Sequence, residues 1–143
     1  MSPSPLASAV NTHKALAHPA RLRILAMLRG GELCVCQLIA VIRLAPSTIS
    51  AHLADLKAAG LVEERKQGKW VHVRLAGGGE TQRAMAGVFA ALGDDPQVQA
   101  DLSVLEQLRR VELAELTRAG LDLERLGIAA CCTPVARPKE RHS

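Results

Sequence analysis

A chain of 143 residues, 48% of them apolar, is long enough for one domain with a packed core. With one Trp (Trp70), one Phe (Phe89) and no Tyr, that core falls to Leu, Val, Ile and Ala, which suits packed helices better than a large β-sandwich. The same shortage excludes the aromatic platforms on which single-stranded nucleic acids stack. The formal charge of +4 is uneven: residues 1–75 carry ten Lys/Arg against four acids, and residues 76–143 carry eight against ten. Charge facing a polyanion therefore belongs to the front half, although a soluble domain that merely happens to be basic has the same sum.

In chain order, residues 6–17 read as a modest helix with Leu6, Val10 and Leu16 on one face. His18-Pro19 interrupts it, because the residue before proline is pushed out of the helical region. Pro19 then opens a second helix to Leu28, with Leu22, Ile24, Leu25 and Leu28 inward and Arg21, Arg23 and Arg29 outward, ended by Gly30-Gly31. Glu32–Val35 is a short strand fragment, and Leu38, Ile39 and Ile42 mark a helix from Cys36. After the turn Leu44-Ala45-Pro46, another helix starts at Pro46 or Ser47 and stops at Gly60.

The period then changes to two. Leu61–Lys66, Gln67-Gly68-Lys69 and Trp70–Leu75 read as strand, tight turn and strand, a basic β-hairpin. Gly77-Gly78-Gly79 precedes a helix to Leu92, broken by Gly93–Pro96. Residues 97–119 are expected to form one amphipathic helix with Val98, Leu102, Leu105, Leu113 and Leu116 on its apolar side. Gly120 ends it, and residues 121–128 add a turn or two. The tail from Thr133 reads as disordered. The expected organisation is one main unit over 1–92, a helical extension over 93–130, and a tail over 131–143. The start MSPSPLASAV has no basic n-region, and no stretch approaches the ~18 apolar residues of a membrane span. The expectation is a cytoplasmic protein with no membrane partner, and its four cysteines are expected to be thiols.

Two short helices joined by a tight turn and followed by a basic hairpin describe a winged helix-turn-helix. In that motif the N-terminal residues of the second helix meet base edges in the major groove. Here they are Ser47, Thr48, Ser50 and His52, with Lys57 further along; Lys66 and Lys69 flank the hairpin turn, where they can track a phosphate strand. Each has a plainer reading. Ser47 serves equally as a helix cap, His52 as a packing residue between helices, and the two lysines as solvated turn charges.

Cys34-Val-Cys36 lies at the mouth of the first helix of this pair. In a regular helix, residues two apart point about 200° from each other, so both sulfurs reach one ion only if the helix starts in extended backbone. Soft thiolates select thiophilic ions; the plainer reading is two buried core residues. Cys131-Cys132 follows nearly a hundred positions later. A thiol enzyme is not expected, because no catalytic base sits beside Cys34 or Cys36.

Leu16–Leu25 (LAHPARLRIL), Ser47–Leu53 (STISAHL), Leu56–Val62 (LKAAGLV) and the hairpin Arg65–Leu75, in this order and spacing, resemble the ArsR/SmtB family of metal-responsive repressors over about residues 12–92. The resemblance implies a mainly α, winged helix-turn-helix homodimer held by the first helix and the helix of residues 80–92. Such a dimer reads palindromic double-stranded DNA. Pro46 and Ala51 depart from the polar residues the family often carries there, which leaves the operator sequence open.

The box Glu32–Leu38 (ELCVCQL) resembles that of the family's arsenic and cadmium sensors. The implied ligands are Cys34 and Cys36, and the implied effector is As(III) or Sb(III). The third cysteine of the best-known arsenic repressors corresponds to Ile39 here, so a three-thiolate site would draw on Cys131 or Cys132, from the same or the partner subunit. The alternatives are a tetrathiolate Cd(II), Pb(II) or Zn(II) site and a thiol redox sensor. The family's zinc-type site is not expected, since residues 80–92 contain no His and only Glu80 among acids.

Overall fold

The computed structural model describes residues 4–128. Ser4 caps α1 (Pro5–Leu16) by accepting from the Ala7 amide at 3.2 Å. His18 is extended (φ −154°, ψ 130°), as a residue before proline should be, and its Nδ1 accepts from the Ala20 amide to cap α2 (Pro19–Leu28). A two-residue strand β1 (Leu33–Cys34) leads directly into α3 (Val35–Ile42). Between α3 and α4 (Pro46–Ala58) the helix axes turn by 118°, within the range of a helix-turn-helix. Arg43 makes the corner in the left-handed region at φ 64°.

β2 (Val62–Gln67) and β3 (Trp70–Leu75) form the wing hairpin with Gln67 opposite Trp70, and Gly68 supplies the positive φ of 61° that the two-residue turn requires. β1 adds to the other side of β3, giving the antiparallel order β1-β3-β2. The strand fragment expected at 32–35 is thus the third strand of the wing sheet. After α5 (Gly79–Leu92) the chain departs from expectation. The single helix expected over 97–119 is two, α6 (Pro96–Leu108) and α7 (Leu113–Arg118), followed by a 3-10 turn at Glu124–Leu126. A straight helix of that length would run about 35 Å, past the edge of a domain this small. Instead the Arg110 and Val111 amides close tight bonds to the Gln107 and Leu108 carbonyls, and the chain bends so that Leu108, Leu116, Leu123 and Ile128 all enter one core.

That core is built from Ile24, Leu25, Leu28, Leu38, Ile49 and Leu56 under the sheet residues Leu33 and Val73. α6 lies against α2 and α3, and α7 against α3. Arg21 and Arg23, expected to face solvent, are half-buried instead. Arg23 forks onto Asp101 of α6 at 2.8 and 2.9 Å, and Asp101, only 3% exposed, also accepts from Gln97. An acid this deep needs such a partner, since an unpaired buried carboxylate would cost several kcal/mol. In contrast, Leu6 and Val10 on α1 remain 77% and 43% exposed. No single helix among the described residues is long and apolar enough to cross a membrane.

Candidate DNA interface and thiol pair

α4 buries Ile49, Leu53 and Leu56 and exposes Ser47, Thr48, Ser50 and Lys57. Its cap position is Ala45, followed by Pro46, with no side-chain cap. Ser47 is therefore inside the first turn and not the cap, which leaves its amide and hydroxyl facing outward. Lys57 lies 3.8 Å from Glu64 of the wing. Lys66 and Lys69 are both exposed at the wing tip, with Lys69 held 5.0 Å over the Trp70 ring. Arg43, exposed at the corner between the two helices, joins this basic surface; the sequence reading missed it, although a basic residue in the turn of such a motif was signal enough.

His52 is the exception. It is buried at 8% exposure, 4.3 Å from the His18 ring, and accepts a bond from Arg21 Nε at 3.1 Å. Of the two readings given for this position, burial and the bond from α2 favour the packing one: His52 faces α2 and packs between helices.

The thiols meet the condition set by the sequence. Cys34 is extended (φ −73°, ψ 144°) and Cys36 is in the first turn of α3, so the two sulfurs fall on one side, 2.8 Å apart. Gln37 fixes this start by accepting from the Cys34 amide at 2.9 Å. The Cys36 thiol donates to Cys34, and that bond, aided by the Cys36 and Gln37 amides and opposed by burial, draws the Cys34 thiol down to about 7. The Cys36 thiol is pushed up for the complementary reason: its proton is held by the Cys34 sulfur in a partly buried setting. The pair thus holds one proton readily lost and one retained.

Beside the sulfurs lies a cavity of about 400 Å³ whose lining includes Val35, Leu53, Trp70, Thr117, Ser50 of α4 and Lys69 of the wing. A soft ion or thiophilic centre suits this donor set, of which two ligands are present among the described residues. Among the described residues no group of three His, Cys, Asp or Glu is arranged to hold a metal. Cys131 and Cys132 lie outside the described residues.

Two short helices at a sharp angle, a basic wing and an uncapped outward helix face define a winged helix-turn-helix regulator. Residues 18–64 match the model of the bacterial regulatory protein arsR family. The arsenical resistance operon repressor of Escherichia coli K12 is 47% identical over 68 residues, covering 47% of this chain and 58% of the relative. The solved structure of HlyU from Vibrio cholerae superposes with a TM-score of 0.57 at 34% identity, over 63% of this chain and 97% of that one. A homodimeric winged helix-turn-helix domain from Mycobacterium bovis, described as a possible ArsR-family regulator, gives 0.53 at 36% identity over 61% and 82% of the two chains. The protein belongs to the arsR family of bacterial regulatory proteins. Its relatives are transcription regulators and not enzymes. The matched segment spans about half the length of the first curated relatives, 58% and 49%.

Proposed function

We propose that this protein is a homodimeric, DNA-binding transcriptional repressor that leaves its operator when trivalent arsenic or antimony is captured by Cys34 and Cys36, with Cys131, Cys132 or both completing the site. The observation that carries the reading is the placement of the two sulfurs, 2.8 Å apart at the start of α3, in a cavity whose wall includes Ser50 of α4 and Trp70 of the wing. Ligation there draws on the backbone that positions both DNA-facing elements, which supplies a coupling between effector and operator. The likeness to an arsenical resistance repressor supports the effector class.

Ser47, Thr48 and Ser50 meet base edges and sugar-phosphate, while Arg43, Lys57, Lys66 and Lys69 take phosphates. The exposed Leu6 and Val10 of α1, together with α5, form the dimer face; that the Mycobacterium bovis relative is homodimeric supports a dimer. The operator is accordingly a palindrome with half-sites about one helical turn apart. The units proposed are a DNA-binding and dimerisation unit to Leu92 and an extension in which α6 and α7 pack over the thiol site and lead toward Cys131. A redox reading rests on the same sulfur contact, with a Cys34–Cys36 disulfide formed by peroxide in place of a metalloid complex.

The test is anisotropy of a labelled duplex enriched by the protein from a randomised library, titrated with As(III), Sb(III), Cd(II) and Zn(II) for the wild type and for Cys131→Ser/Cys132→Ser. Release by As(III) or Sb(III) that the double variant loses supports a trivalent site completed by the tail. Release by Cd(II) or Zn(II) alone would replace it with a tetrathiolate sensor, and release by peroxide alone with the redox reading.

A further inference from the structure

Arg21 of α2 reaches two other helices at once. Its Nε donates to His52 Nδ1 at 3.1 Å, and one terminal nitrogen donates to Asp55 Oδ2 at 2.5 Å, three residues along the same face of α4. The other points to the carbonyls of Lys14 and Ala15 at the end of α1, at 3.4 and 3.5 Å. His52 meanwhile packs on His18, ring centroids 4.3 Å apart and planes tilted by 48°. His18 Nδ1 accepts from the Ala20 amide at 3.0 Å. Both rings therefore use Nδ1 as an acceptor, and the Arg21 bond exists only while His52 is neutral, with its proton on Nε2.

We propose that Arg21 is a positioning residue for the DNA-facing helix α4 and that it acts through neutral His52, so that acid loosens the helix and weakens DNA binding. The inference rests on the reading of α4 as the helix that meets DNA. A proton on Nδ1 would set N–H against N–H and place a cation between the Arg21 guanidinium and a second imidazole. Burial first, then His18 and Arg21, hold the His52 pKa below the usual imidazole value; Asp55 opposes them. The other charged groups around α4 are engaged elsewhere. His13 bonds the Ala9 carbonyl of its own helix and Lys57 faces Glu64 of β2, while α3 carries no ionisable side chain but Cys36.

The sign of the effect separates this role from a groove contact. A histidine at the DNA surface gains a charge for phosphate as the pH falls and binds tighter. A buried acceptor does the reverse. Since the folded His52 prefers its neutral form, the clamp is complete above the ordinary imidazole range and is lost as the pH falls through the lowered value.

The experiment measures affinity for the duplex selected from the randomised library, at constant ionic strength, from about pH 7.5 down to about pH 5. Wild-type affinity is expected to fall toward about tenfold per pH unit below the His52 pKa. In His52→Gln the amide oxygen still takes the Arg21 bond but cannot titrate, so the acid loss should vanish; Arg21→Lys should bind weakly with little pH dependence. Wild-type affinity that rises in acid, or a His52→Gln profile that keeps the wild-type slope, would overturn the proposal. Imidazole 15N NMR of the free protein reads the contact without DNA. His52 should be the Nε2–H tautomer and titrate below free imidazole, and the opposite tautomer would sink the clamp even if every variant misfolds. Failure to bind any duplex at any pH would count against the DNA reading itself, with the tautomer still deciding the Arg21–His52 contact.

Discussion

Cys34 stands directly across the sheet from His72 of β3, so the residue that offers a thiolate is also a rung of the wing. Glu32, two positions earlier, pairs with Arg65 of β2 and lies 3.9 Å from His72. An effector that pulls on Cys34 thus pulls on the strand that carries Trp70. Cys34→Ala and Cys36→Ala are each expected to keep duplex binding and lose effector-driven release. The loss of effector affinity should be at least the roughly 10–100-fold that removing a supporting group costs a metal site, read by the same anisotropy titration. Release that survives both substitutions would remove the pair from the sensor.

The thiol pair also predicts a pH dependence. Because the Cys36 thiol holds Cys34 near 7, thiolate at Cys34, and with it the rate of alkylation by iodoacetamide, should rise through about pH 7. In Cys36→Ala the donor is gone and the midpoint should move up toward an ordinary thiol. A midpoint that does not move would show that the backbone amides alone set it.

Trp70 is the only tryptophan in the chain and forms part of the thiol cavity wall. Its emission should change on addition of As(III) and saturate at one equivalent per chain. Cys34→Ala should abolish the change, and an unchanged spectrum with the effector bound would place the ligand away from this cavity.

Asp101 is buried and forked by Arg23. Asp101→Ala leaves a half-buried guanidinium unpaired and should destabilise the fold by about 3 kcal/mol. Urea denaturation is the check; a double variant with Arg23→Ala should lose less than the sum of the two single losses. Strict additivity would mean the pair contributes nothing of its own.

Leu6, the most exposed large apolar side chain among the described residues, makes the dimer face testable. Leu6→Asp should leave the isolated subunit within about 0.5 kcal/mol of wild type and raise the dimer dissociation constant about tenfold or more, which corresponds to about 1.4 kcal/mol. Analytical ultracentrifugation distinguishes this from a variant that remains dimeric and so locates the interface elsewhere.

By itself the sequence determined whatever depends on near neighbours in the chain. Pro19 and Pro46 mark helix starts, Gly68 marks the wing turn, and the change of period at Leu61 marks the switch from helix to strand; each follows from backbone sterics within a few residues. The need for an extended Cys34 was legible for the same reason. The direction of a polar side chain and the course of the extension were not, because they follow from partners far along the chain. Whether His52 faced DNA or the core turned on Arg21, 31 residues earlier, and Arg23 turned inward because Asp101 lies 78 residues later. The bend between α6 and α7 likewise has no breaker residue to announce it. It exists because Leu108 and Leu116 must enter the same core, and only the tertiary structure sets where that core is.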